Sequence, residues 1–269
     1  MKRAGRRMGD ELSAVALSGE DVERFGSDPL GAFRANLATV GERIARACGR
    51  AGRDPASVRL LPITKTVPAR ILRLAFEAGI RSFGENKIQE AAAKREALAD
   101  LPIEWSIVGH LQTNKVKYLT RFAREFHALD NLRLAEIINK RLEREGRFLD
   151  VYVQVNTSGE TSKYGLHPYM LPSFVDTLGQ FPRLRPRGLM TLALFSADIE
   201  KVRPCFRLLR HLRDAAAKRN AALTGLSMGM SGDFEEAVEE GADVVRVGQA
   251  IFGKRPTPDS HYWPGLGPG

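Results

Sequence analysis

Eight short apolar runs, each but the last followed by a helical pattern, constrain this chain more than any other feature. The runs fall at 58–66, 81–86, 104–111, 125–130, 150–157, 185–192, 223–230 and 243–252. The clearest helical stretches are 69–78, 88–99, 132–145, 199–219 and 234–240, with a weaker one at 169–178. Strands separated by helices run parallel, because parallel neighbours need crossover connections. Eight strands close a (β/α)8 barrel, and the roughly 220 residues from 29 to 252 suit one. A doubly wound open sheet would carry a Gly-rich fingerprint after its first strand, and LLPITKT at 60–66 is followed by none. A single α/β barrel is therefore expected.

Outside the alternation the chain divides simply. Residues 1–28 carry Gly, Ser, Asp and Arg with little periodicity and read as a loosely ordered extension. From Pro29, the apolar residues Phe33, Leu37, Val40, Ile44 and Ala47 form one stripe at helical period, an extra helix expected to cover the barrel floor. The barrel domain is read as 29–253 and the Pro/Gly-rich tail as 254–269. Pro62 lies inside the first strand, where it removes a ladder donor, so a local bulge or an unpaired position is expected there.

Composition narrows the function classes. The 269 residues are 43% hydrophobic and 27% charged, ordinary for a globular protein. No apolar run approaches the roughly 20 residues that span a bilayer, and the segment 12–17 is too short for a secretory signal. Two distant cysteines, Cys48 and Cys205, propose neither a disulfide framework nor a zinc site, so a reducing cytoplasm is the expected location. The net charge of +9 attracts anions. The basic residues are scattered over helical faces without a nucleic-acid-binding motif, so no nucleic-acid partner, no membrane partner and a monomer are expected.

In a barrel, function gathers at the carboxyl ends of the strands. The residues there are Lys65 after strand one, Asn86 after strand two, and His110 after strand three. Strand five contributes Asn156 with Lys163 in the following loop, and strand six Met190 and Thr191. Ser227 and Ser231 follow from strand seven, and Arg246, Gly248 and Gln249 from strand eight. A period of two puts Leu61, Ile63 and Lys65 on one face, and Arg246 with Gly248 on another. Lys65 is either a surface lysine ending a strand or an amine presented at the barrel mouth, where partial burial frees it. Ser231 opens the helix after strand seven. It reads equally as a phosphate-binding residue and as a plain N-cap.

Six segments together extend this reading: ITKT, FGENKIQEA, WSIVGHLQTNKVK, VYVQVNTSGETSKYGL, RGLMTLA and LSMGMSGDFEEAVEEGADVVRVGQAIFG. In this order the chain resembles the pyridoxal 5′-phosphate (PLP) homeostasis proteins, whose TIM barrel is similar to the alanine racemase N-terminal domain. The resemblance implies a Schiff base with PLP on Lys65 and phosphate contacts from Ser231 and the backbone around Gly248 and Gln249. It implies Arg246 against the pyridine nitrogen, Asn86, His110 and Met190 lining the pocket, and Lys163 in PLP handling. Ser227 is counted with this cofactor-binding set. The implied role is non-catalytic PLP homeostasis, with apo forms of PLP-dependent enzymes as recipients. The alternative is a PLP-dependent amino-acid racemase, against which only 17 residues remain after Phe252 to supply an opposing domain. The chain departs from the family pattern at Val67, where a second lysine is common, at Lys87, where an aromatic is usual, and at Gln249.

Overall fold

The computed structural model describes residues 15–196, 198–254 and 256. Two helices open it, α1 (Gly19–Phe25) and α2 (Pro29–Arg50), followed by β1 (Arg59–Pro62) and α3 (Ala69–Glu77). Next come β2 (Ser82–Glu85), α4 (Ile88–Ala97), β3 (Glu104–Ile107), α5 (Val116–Phe122), β4 (Glu125–Leu129) and α6 (Leu132–Glu145). The second half runs through β5 (Leu149–Gln154), α7 (Leu171–Leu178), β6 (Leu184–Met190) and α8 (Ile199–Ala217). It ends with β7 (Gly225–Ser227), α9 (Phe234–Glu239), β8 (Val244–Val247) and α10 (Gln249–Phe252).

The eight strands form one parallel sheet in the order β1-β8-β7-β6-β5-β4-β3-β2. The barrel expected from the alternation is the fold. At its last seam β1 and β2 meet at a single bridge, Ile63 to Gly84, with the Thr64 N–H donating to the Gly84 carbonyl at 2.9 Å; β7 and β8 likewise share one register pair, Ser227 to Val244. Pro62 explains itself there. Arg59 and Ile63 donate to the β8 side, at Asp243 and Val247 (2.8 Å each), so the even positions of β1 face β2. The proline thus removes a donor where the ladder is already reduced to one bridge. No bulge forms, and the register Pro62 to Val247 continues unbroken.

Rows of register-matched apolar residues, Ile107–Phe126–Val151 and Val153–Leu189–Leu226, face outward and bury against the helices. The interior is polar instead. His127 of β4 bonds Ser227 of β7, and Arg59 of β1 bonds Glu125 of β4, contacts that cross the barrel. Glycines make the room: a Cβ on Gly188 would come within 1.8 Å of the Gly225 carbonyl oxygen.

Three expectations change. The segment 243–252 divides at Gly248 into a strand and a helical turn, because an apolar run alone does not separate the two conformations. The helix α2 does not cover the floor. It stands outside β1 between α3 and α9, with Arg34 donating to the Glu77 carbonyl, Arg43 paired to Glu235 and Arg50 to Glu239. The second half of the extension is ordered, since α1 starts on a Ser18–Asp21 capping box and buries Asp21 and Phe25. Residues 1–14 and most of the tail lie outside the described residues.

Candidate functional site

Lys65 lies three residues past the end of β1, half-buried, between two threonines that the fold holds firmly. Thr64 is fully buried, its hydroxyl donating to Oε1 of Glu85 at 2.5 Å and its carbonyl accepting from Nζ of Lys94 at 2.8 Å. Thr66 sits at φ 67°, the one positive φ outside glycine among the described residues. Its N–H donates to Oε1 of Glu90 at 2.8 Å. Arg24 donates to its carbonyl at 2.6 Å and to its hydroxyl at 3.0 Å. Lys94 joins the two carboxylates of this wall, 2.7 Å from Glu85 and 2.6 Å from Glu90. Burial pushes the Glu85 carboxyl up to about 7, with Lys94 opposing the shift and Glu90 adding to it. Its second oxygen has no hydrogen-bond partner.

The wall on the other side of β1 is built on β8 and β7. Arg246 is in register with Leu61 and almost fully buried. It donates to the Ser227 hydroxyl at 2.8 Å and to the Thr191 carbonyl at 2.7 Å. Burial draws its pKa down to about 10, which leaves it cationic at neutral pH. The bonding order below it follows from the donor inventory. Ser227 accepts from Arg246, so its O–H donates to Nδ1 of His127 at 2.9 Å; Nε2 then carries the ring proton and donates to Glu125 at 3.0 Å. Burial depresses the His127 pKa, consistent with this neutral tautomer.

Ser231 is not an N-cap. That position belongs to Asp233, and the Ser231 hydroxyl reaches to the exit of β8, accepting from the N–H groups of Gly248 at 3.2 Å and Ala250 at 3.4 Å. A Cβ on Gly248 would stand 3.1 Å from the Ile63 carbonyl oxygen, so the exits of β1 and β8 are in direct contact. The remaining rim is made by loops. A Cβ on Gly109 would lie 2.1 Å from the Asn86 carbonyl oxygen, so Asn86 packs against the residue that precedes His110. His110 stacks on Tyr164 with ring centroids 3.9 Å apart and has Asp130 at 3.7 Å. Lys163 pairs with Glu160 and donates to the Ala193 carbonyl at 2.7 Å, tying the loop after β5 to the loop after β6.

The family model "Alanine racemase, N-terminal domain" matches residues 30–256. A "Pyridoxal phosphate homeostasis protein" of Aquifex aeolicus is 45% identical over 220 residues, covering 81% of this chain and 96% of the relative. One of the same name from Pseudomonas aeruginosa is 43% identical over 220 residues, covering 82% and 94%. The chain belongs to the pyridoxal phosphate homeostasis family. The structure of a family member, PipY of Synechococcus elongatus with PLP bound, superposes with a TM-score of 0.70 at 33% identity, over 80% of this chain and all of PipY.

Within this family barrel, Lys65, Asn86, His110, Lys163, Ser231, Arg246, Gly248 and Gln249 all stand at the carboxyl end. Two expected site residues are placed deeper: Met190 and Ser227 are fully buried, and the Ser227 hydroxyl is committed to Arg246 and His127. Gln249 is half-buried, and the N–H that shares the Ser231 hydroxyl with Gly248 is that of Ala250, the next residue of the same loop. The departures also find places. Val67 is 2% exposed and joins the core, where a lysine would have to bury its charge, whereas Lys87 is exposed before α4. Glu85 carries no spacing signal, since its partners lie on other elements, and the close pairs Glu90–Lys94 (i,i+4 on α4) and Glu125–His127 (two apart on β4) read as ordinary surface spacing until Glu85, Ser227 and Arg59 join them.

Proposed function

We propose that this chain holds PLP as a Schiff base on Lys65 and takes part in PLP homeostasis without turning over a substrate. The observation that carries the reading is one juxtaposition. The lysine leaves β1 where Gly248 touches Ile63, beside two backbone N–H groups gathered on the Ser231 hydroxyl. An amine next to an anion cradle fits a ligand bearing both an aldehyde and a phosphate monoester, and the PLP-bound PipY structure comes from the same family.

When bound, PLP supplies an aldehyde for the covalent link and an aromatic ring that delocalises charge. The chain's own residues do the rest. Gly248, Ala250 and Ser231 are the phosphate donors, with Gln249 between them. Arg246 offers only N–H donors and keeps its charge, so a pyridine nitrogen facing it accepts a hydrogen bond and stays unprotonated. That weakens the ring for carbanion chemistry, in keeping with the homeostasis role by which the relatives are named. Asn86 and His110 form the rim and Met190 the base, and Lys163, tethered to Ala193, serves PLP handling toward apo-enzymes. Among the described residues no group of three His, Cys, Asp or Glu could hold a metal ion, and no helix is long and apolar enough to cross a membrane.

The test is a PLP titration of the purified protein followed by absorbance. A Schiff-base band appears in the wild type and is lost in Lys65→Ala; its persistence in the variant defeats the assignment. A chiral assay of alanine and serine with the loaded protein decides the non-catalytic part, since turnover at ordinary enzyme rates overturns it.

A further inference from the structure

The family match begins at residue 30, so α1 precedes it, yet α1 reaches the candidate site at two places. The first is the lysine segment. Arg24 lays its two terminal nitrogens on the carbonyl and hydroxyl of Thr66, 42 residues further along the chain and next to Lys65. The second is the β8 exit. Phe25 meets Phe33 edge-on at 6.2 Å, and Phe33 meets Phe252 at 5.3 Å, which links α1 through α2 to the helical turn that begins at the Gly248 and Ala250 donors.

Thr66 is where this matters. A β-branched residue at φ 67° is in the left-handed region that only glycine and, less well, asparagine enter without strain. Such a conformation persists when its surroundings over-determine it. Here Glu90 holds the N–H, and Arg24 holds the carbonyl and the side chain. The strap itself is fastened from behind. Asp21, 2% exposed in its side chain, receives two bonds from Arg70 of α3 at 2.7 and 2.9 Å, and Arg70 holds its carboxyl down to about 2.

We propose that α1 is a strap on the Lys65 segment, with Arg24 as its positioning residue, and that it slows the exchange of an aldehyde held by Lys65. The proposal rests on the PLP reading above. Exchange is hydrolysis of a C=N bond: water gives its oxygen to the aldehyde carbon and its protons to the nitrogen, and Lys65 leaves as the free amine. No oxidant, reductant or further reactant is involved. The chain affects the rate because attack on that carbon requires the lysine to leave its resting geometry, and a backbone pinned at Thr66 resists it.

The experiment uses the full chain as wild type, Arg24→Ala, Arg24→Lys and Thr66→Gly, with two readouts. Deuterium exchange of the amides at 64–67, measured without PLP, reports the strap alone. The rate at which excess hydroxylamine removes the absorbance band of the PLP-loaded protein reports exchange. Arg24→Ala is expected to raise both rates about tenfold, the order for a charge-assisted hydrogen bond pair, while the band at saturating PLP is kept. Arg24→Lys restores part of the protection. In a Thr66→Gly background the effect of Arg24→Ala shrinks, because glycine takes φ 67° unaided. Unchanged amide exchange in Arg24→Ala overturns the strap, and so does faster amide exchange with an unchanged hydroxylamine rate. A wild-type protein that gives no band counts against the PLP reading, and the amide exchange then judges the strap by itself.

Discussion

Glu85 and Glu125 are the same residue type, both withdrawn from water, and the barrel treats them in opposite ways. Glu125 receives Arg59 on both oxygens (2.9 and 2.8 Å), and Ser106 at 2.9 Å and His127 at 3.0 Å on Oε2. Those donors outweigh the burial that would raise it and hold its carboxyl well below the usual carboxylate range. Glu85 receives Thr64 and Lys94 on one oxygen only, shares Lys94 with Glu90, and leaves its other oxygen unmet. Burial raises its carboxyl to about 7, because Lys94 and Thr64 offset only part of that push and Glu90 adds to it. Burial alone does not decide whether a carboxylate keeps its charge; the distribution of donors over its two oxygens does.

The contrast breaks most severely at the well-served glutamate. Glu125→Ala strands Arg59 and His127, and urea denaturation should show a loss of about 3–5 kcal/mol, the cost of opening a buried pair. Lys94→Met removes the cation that pairs with Glu85 and should cost about 2–3 kcal/mol. Adding Glu85→Gln to it should recover part of that loss, whereas two additive losses would deny the coupling.

Acid–base behaviour sharpens the same comparison. Glu85 has a folded pKa raised from 4.5 to about 7, so the folded state binds its proton more tightly. Its contribution to stability is full below pH 4.5 and declines as pH rises toward about 7. Glu125, whose folded pKa is depressed, contributes above the ordinary carboxylate range and loses that contribution as pH falls below it. Stability measured against pH in Glu85→Gln should therefore lack the decline between 4.5 and 7, and a retained decline would assign it to another group. The smallest effect is expected from Ser106→Ala, about 1 kcal/mol, because Arg59 and His127 still serve Glu125.

The legible and illegible parts of the chain follow from the range of the interactions. Alternation of apolar runs and helical stripes is local, and it was enough for the barrel and for the mouth at which Lys65, Asn86, His110, Ser231 and Arg246 gather. Strand and helix remained indistinct in QAIF at 249–252, where a short apolar run has no period of its own. The role of Ser231 was open because capping and bridging to Gly248 differ only in what lies 17 residues away. His127 is set off only by a two-residue spacing from Glu125 that any strand contains, and its other partner, Ser227, lies 100 residues away. Arg24 is one charged residue among many in a mixed-charge extension, and its hold on Thr66, 42 residues away, is visible only in the fold.

A tube slit along its length keeps its resistance to bending but loses most of its resistance to twisting. The single bridge between Ile63 and Gly84 makes this barrel nearly such a slit tube, and Pro62 ensures that no further rung can be added beside it. Lys65 and Asn86 stand just beyond the two lips, while Arg246 and Gly248 belong to the strand that pairs with β1 over four register positions. A torsional load on the sheet would therefore be borne at this seam by the side-chain bonds that cross it at the mouth, Thr64 to Glu85, Lys94 to the Thr64 carbonyl and the Thr66 N–H to Glu90, while β1 and β8 turn together.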